Sequence, residues 1–280
     1  MATQGPFALI TGCSSGIGKN LALEFASRGV TVLATARRVE SLKELTSTHD
    51  NIEALPLELD DMASIERLHE AVEKRTGGRL DYLVNNAGTH YAATGLDLEV
   101  AEAQKLFNVN LFAVMRLCQL FVPLLREAPR GKIVQIGSVT RNVPVVWQGV
   151  YNASKAALSQ YSKTLRLELE PFGVEVIEIV TGFVQSNILH HGFITPKDSL
   201  YLPILSTVKE FKVRGNNTGM KGEDYARSVV SKLMANNTAI EIWEGKLAWK
   251  LWFLVTFLPL SFFNRILYKQ YNLGLLKRSS

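Results

Sequence analysis

The chain has 280 residues, 47% hydrophobic and 20% charged, with a net charge of +5 at pH 7, which is enough apolar content to bury one large α/β core. Residues 243–280 hold six basic residues against one acid, Glu244, leaving the first 242 neutral overall; with no basic stripe over the body, a nucleic-acid partner is not expected. Two distant cysteines, Cys13 and Cys118, give neither a disulfide framework nor metal spacing, and residues 1–6 show no secretory pattern, so a cytosol-facing protein is expected.

An apolar run over 7–10 is followed by Thr11-Gly-x-x-x-Gly-x-Gly18 and an amphipathic segment to Arg28, which reads as strand, glycine turn and helix. Further strands are predicted over 31–34, 54–59, 82–85, 132–136, 175–180 and 239–243. Helices are predicted between them over 39–47, 62–75, 103–126, 150–170 and 222–235. Alternation of this kind implies right-handed crossovers and an α/β fold, a doubly wound Rossmann-like parallel sheet of about seven strands. The stretch 182–221 holds Gly192, Pro196, Pro203, Gly215 and Gly219 and reads either as a lid or binding segment that orders over a ligand or as an ordinary pair of short helices.

The glycine turn after the first strand suits a pyrophosphate at a helix N-terminus, where free amides and the helix dipole favour anions. Gly12, Ser15, Gly16, Ile17 and Gly18 are the residues placed there. After the second strand, where an acid would meet a ribose 2′-hydroxyl, stand Arg37 and Arg38; two guanidiniums suit a 2′-phosphate and point to NADP(H). Asp60 lies after the third strand and reads either as a partner of the adenine amino group or as a helix cap.

Tyr151 and Lys155 are spaced as Tyr-x-x-x-Lys, with Ser138 thirteen residues before the tyrosine. On a helix this spacing stacks the two side chains on one face, and a nearby ammonium favours the phenolate and lowers the tyrosine pKa. In isolation the spacing is common by chance and is better read as a solvated helix face.

Together these elements resemble the short-chain dehydrogenase/reductase family over about residues 6–245. The resemblance is carried by Thr11 to Gly18, Asn85-Asn86-Ala87-Gly88, Asn110, Ser138, and Tyr151 with Lys155. It implies Tyr151 as acid in reduction and base in oxidation, and Lys155 as the cation that lowers its pKa and holds the nicotinamide ribose. Ser138 would orient and polarise the carbonyl, and Asn110 would position a relaying water. Asn86, Val184 and Ser186 would line the cofactor. The family's Pro-Gly after the sixth strand is here Thr181-Gly182, which leaves the entry to the lid less constrained. No metal site is expected, and His190 and His191 read as surface loop residues. The long helices bearing Asn110 and Tyr151 resemble the family's dimer-forming pair, which implies a homodimer or homotetramer.

The chain divides by pattern into a catalytic NADP-binding unit, 1–245, and an apolar, basic extension, 246–280. Residues 251–263 carry no charge, and Trp243, Trp249 and Trp252 precede or enter that run. It is shorter than the ~20 residues of a membrane-spanning helix. Two readings stand open: docking on a membrane or lipid-droplet surface, peripheral to the endoplasmic reticulum on its cytoplasmic side, or packing over the pocket of a soluble cytosolic enzyme. The Arg37-Arg38 pair, Thr181-Gly182 and the tail look like fungal 1-acyldihydroxyacetone phosphate reductases. Similar chains tailor polyketides or terpenoids in either redox direction. A lipophilic small-molecule substrate is expected in both cases, and Lys209, Lys212 and Arg214 read as a solvated basic face or as receivers of a substrate phosphate. The reading from another class is a membrane-bound nucleotide-binding scaffold without chemistry, against which the intact Ser138, Tyr151 and Lys155 set speaks.

Overall fold

A computed structural model describes residues 5–186 and 193–276. Seven strands form one parallel sheet: β1 (Phe7–Ile10), β2 (Thr31–Ala36), β3 (Ile52–Pro56), β4 (Tyr82–Asn85), β5 (Lys132–Ser138), β6 (Glu175–Thr181) and β7 (Glu241–Glu244), in the order β3-β2-β1-β4-β5-β6-β7. The order reverses between β1 and β4, so the crevice for a ligand opens there, beyond the strands' carboxyl ends.

Both faces of the sheet are covered, which is why β1 and β5 are buried throughout rather than alternating. Ala8 and Ile10 of β1 join a core with α1 (Gly16–Ser27), α2 (Lys43–Thr48) and α8 (Gly222–Leu233). Phe7 and Leu9 join the opposite core with α3 (Met62–Thr76), α5 (Ala113–Arg126) and α6 (Gly149–Leu169). The period of two along the strand thus feeds two separate cores.

The third strand begins and ends earlier than its apolar pattern predicts. Its register runs from Val32 opposite Ile52 to Ala36 opposite Pro56, and its last ladder bond is donated by the Leu57 amide to the Ala36 carbonyl at 3.0 Å; Pro56 sits with its nitrogen toward the free edge of the sheet, where no ladder bond is lost. Leu57 and Leu59, expected within it, are instead buried in the core beneath α3. The helix predicted over 103–126 starts at α4 (Val100–Phe107) and passes through a π turn, Asn108–Phe112, before α5. The run Val100–Arg126 is long and apolar enough to cross a membrane, yet half of its most apolar window is buried in the protein, as a core helix would be.

Among the described residues of the segment 182–221 there is one full helix, α7 (Leu205–Asn217), entered through a short 3₁₀ turn, Leu202–Ile204. His190 and His191 lie outside the described residues. The tail forms α9 (Ala248–Phe257) and α10 (Leu260–Gln270), separated by extended backbone at Leu258 and Pro259. These helices are not detached: Phe263, Leu267 and Tyr271 are buried in a third cluster with Val143, Trp147, Ile204 and Val208.

Candidate active site

The loop after β1 is shaped by its glycines. Gly12 and Gly16 have φ of 74° and 59°, the left-handed region that glycine enters without strain. A Cβ on Gly18 would run into the Gly12 carbonyl oxygen and Asn86 Nδ2, so helix α1 docks closely on the loop. Asn86 fixes the loop from β4, donating through Nδ2 to the carbonyls of Thr11 at 2.8 Å and Gly12 at 3.1 Å. Ser15 is the residue before α1 and makes no side-chain cap, leaving the helix's first amides to face the crevice.

A cavity of about 1090 Å³ runs from this loop to the tail. Gly12, Ser15, Gly16, Ile17, Gly18, Arg37, Asp60, Asn86, Val184 and Ser186 line it, together with Ser138, Tyr151 and Lys155. Arg38 is not among its described lining residues; it precedes the short 3₁₀ turn Val39–Leu42. Asp60 is free of the capping role, because Asp61 caps α3 by accepting from the Ala63 amide at 2.9 Å. An open amide row, a glycine cradle that a Cβ would fill and an exposed Arg37 fit a dinucleotide with its pyrophosphate on the loop.

Ser138 ends β5 and is buried; its Oγ accepts from the Thr140 amide at 3.2 Å and from Thr140 Oγ1 at 3.0 Å. Tyr151 stands in the first turn of α6, with its phenol in hydrogen-bond contact with Ser138. Burial drives the phenol up to about 12, and the Ser138 contact opposes that rise. This is contrary to the lowering expected from Lys155 alone. The reason is geometric: Lys155 Nζ lies 5.9 Å from the Tyr151 ring centre and donates to the Ile136 carbonyl at 2.8 Å. Burial also presses the ammonium down to about 8, with Glu178 pulling the other way.

Asn110 sits in the π turn and is buried. It accepts from the Thr89 amide at 2.8 Å and donates to the Thr89 carbonyl at 3.0 Å and to Ser154 Oγ at 3.2 Å. The π turn thereby ties the segment after β4 to the helix bearing Tyr151. A Cβ on Gly88 would lie 3.3 Å from Asn110 Oδ1 and 4.0 Å from Lys155 Nζ, so that glycine sets how near the two approach.

Thr181-Gly182 has a clear local logic. Thr181 Oγ1 pairs with the Tyr225 phenol at 2.7 Å, both buried, and a Cβ on Gly182 would lie 2.5 Å from the Lys246 carbonyl oxygen. Phe183 and Lys246 then bond backbone to backbone, so the start of the tail is stitched to the end of β6. Beyond Tyr151 the cavity is walled by Phe211 of α7, Leu251 and Leu254 of α9, and Phe263 and Leu267 of α10.

The sequence pattern gave no notice of His90, buried beside Tyr151 with ring centres 5.0 Å apart, because a single histidine has no spacing to read. Glu178 was missed too, although an acid in the middle of EVIEIVT is itself a signal: charge within a central parallel strand needs a buried partner. Among the described residues no group of acids, histidines and cysteines could hold a metal ion. Burial pushes both thiols, Cys13 and Cys118, up to about 12, which keeps them unreactive.

Residues 6–194 match the family model described as short chain dehydrogenase. Short-chain dehydrogenase srdE of Neurospora crassa is 40% identical over 100% of this chain and 97% of its own length. The NADPH-dependent 1-acyldihydroxyacetone phosphate reductase of Schizosaccharomyces pombe is 43% identical over 73% of this chain and 70% of that protein. A short-chain dehydrogenase from Streptomyces avermitilis of known structure superposes with a TM-score of 0.81 at 28% identity, covering 96% of this chain and 98% of the other. Similarity of that extent, in sequence and in fold, means that the chain belongs to the short chain dehydrogenase family of oxidoreductases.

Proposed function

We propose that this oxidoreductase uses NADP(H) to interconvert a ketone and a secondary alcohol on a lipophilic substrate. The observation that carries the reading is the position of Ser138 and Tyr151 in one cavity, between the glycine loop and the apolar wall of α7, α9 and α10. Bound nicotinamide supplies or accepts the hydride. Ser138 and Tyr151 direct hydroxyls at the substrate oxygen and stabilise the negative charge that develops there. Tyr151 gives that oxygen a proton in reduction and takes it in oxidation. Lys155 keeps a positive charge behind the phenol. Arg37 at the cavity edge and the absence of an acid after β2 support the phosphorylated cofactor.

The apolar wall supports a greasy carbonyl compound as substrate. The name of the Schizosaccharomyces pombe relative makes 1-acyldihydroxyacetone phosphate one compound to test; polycyclic and terpenoid ketones and alcohols are the others. The outer side of the tail supports attachment to an anionic membrane surface: Trp249, Trp252, Phe253, Phe257, Leu260 and Phe262 are exposed, and residues 245–280 contain no acid. Steady-state turnover of this panel with NADPH and with NADH tests the function. Turnover of a lipophilic carbonyl compound with NADPH preferred is the expected result. Catalysis only on small polar alcohols, or none at all, overturns it.

A further inference from the structure

The turn after Ser138 leads to Arg141, whose guanidinium is buried, bonded to Glu178 and held to Glu241 Oε2 at 2.8 Å, while it packs 5.2 Å over the Trp243 ring. Glu178 is fully buried in β6. Its Oε2 also accepts from Ser159 Oγ at 2.9 Å, and Ser159 lies four residues beyond Lys155 on α6. Its Oε1 has no hydrogen-bond partner among the described residues and lies so close beneath Gly137 that a Cβ there would run into it. Gly137 separates Ser138 from Ile136, whose carbonyl holds Lys155 Nζ. One carboxylate therefore touches the turn after Ser138, the helix of Tyr151 and Lys155, and the strand between them.

We propose that Glu178 is a positioning residue of the active site: its buried negative charge keeps Lys155 an ammonium, and its bonds to Arg141 and Ser159 hold the Ser138 turn against helix α6. Among the described groups around Lys155, Tyr151 faces it from α6 and Asn110 lies near it from the π turn; Glu178 supplies the negative charge. Around Glu178 stand Arg141, Glu241 of β7, and Lys163 and Ser159 of α6. Burial raises the Glu178 carboxyl above its ordinary range, while the Arg141 guanidinium and the Ser159 hydroxyl oppose that rise and favour the carboxylate; Arg141 is shared with Glu241, so two carboxylates face one guanidinium. A buried ammonium without such a partner would lose its proton near neutral pH.

The kinetic part rests on the function proposed above; the charge coupling does not, and the two are tested apart. The full chain, labelled with [ε-13C]lysine, is titrated by NMR, and the Lys155 signal is identified by its loss in Lys155→Met. The expected midpoint is about 8 in the unaltered protein and lower by about half a pH unit or more in Glu178→Gln, since removal of a nearby opposite charge disfavours the cation. Glu178→Asp restores the midpoint, and Ser159→Ala, which leaves the charge in place, does not move it. Where Glu178→Gln fails to fold, Arg141→Gln/Glu178→Gln is compared with Arg141→Gln alone, so that the two differ only in the carboxylate, and the double variant has the lower midpoint. Equal midpoints within whichever of these two comparisons folds overturn the inference. In the enzyme, the alkaline limb of kcat/KM follows the midpoint downward; a midpoint that moves in a protein that reduces no ketone supports the coupling and refutes the reductase reading alone.

Discussion

Thr181 Oγ1 and the Tyr225 phenol oxygen meet at 2.7 Å in the interior, joining the end of β6 to helix α8. The bond gives a physical role to the residue that departs from the family's proline: a threonine here satisfies a buried phenol that has no other hydrogen-bond partner among the described residues. Thr181→Val should destabilise the protein by about 1–3 kcal/mol, the cost of an unsatisfied buried hydroxyl. Thermal unfolding checks this, and adding Tyr225→Phe should recover part of the loss because the two sites share one bond.

Tyr151→Phe keeps the ring that packs on His90 and deletes the proton donor. Turnover should fall by about 10²- to 10⁴-fold, the usual worth of positioned proton transfer. NADPH affinity, measured by fluorescence, should stay within a few-fold. Retained turnover would remove Tyr151 from the mechanism.

Arg37→Ala should weaken NADPH binding by about tenfold or more, as expected for loss of a hydrogen bond to a charged group, and leave NADH binding almost unchanged. Calorimetric titration with both cofactors measures the ratio. An unchanged ratio would show that Arg37 does not read the 2′-phosphate.

The pH dependence follows from Lys155. Its value in the folded protein, about 8, lies below the ordinary 10.5, so the charged form is present below pH 8 and is lost as pH rises through it. The kcat/KM profile should therefore fall on its alkaline side near pH 8. Stability moves the other way: between about 8 and 10.5 the unfolded chain binds more protons at this residue, so its contribution to stability rises with pH in that window. Chemical denaturation at pH 7.5 and 9.5, compared with Lys155→Met, isolates it.

Trp249→Ser/Trp252→Ser/Phe257→Ser removes exposed apolar groups from the tail while keeping those that face the cavity. Flotation with liposomes containing phosphatidylserine should drop several-fold, with turnover of a water-soluble ketone retained. Equal flotation of both proteins would dismiss the membrane surface as partner of this face.

The parts of the fold that were readable in the sequence are those that repeat a local pattern. Strand β1, its glycine loop and helix α1 follow from an apolar run, three glycines and a helical period, and the parallel order follows from alternation. The limits of β3 were not readable, because Leu57 and Leu59 continue its apolar pattern while serving the core beneath α3. Ser138, Tyr151 and Lys155 are legible by order and spacing. Lys155's bond to the Ile136 carbonyl and the burial that raises Tyr151 are not, since both depend on how α6 lies across the sheet. His90 and Glu178 gain their significance from neighbours 61 and 37 residues away, Tyr151 and Arg141, a separation that no local window spans. The tail's two faces are likewise indistinguishable until Pro259 divides it and the third cluster selects Phe263 and Leu267 as its inner side.

The bond between Phe183 and Lys246 has an evolutionary consequence. In the proposed reaction Ser138, Tyr151 and Lys155, which handle the proton, are encoded before residue 183, whereas Phe211, Leu251, Leu254, Phe263 and Leu267 of the apolar cavity wall are encoded after residue 204. Substitutions in the later stretch can exchange one clientele for another while the reaction itself is inherited intact. A chimera carrying residues 246–276 of a relative, joined at this bond, should inherit that relative's choice of ketone and keep its own cofactor.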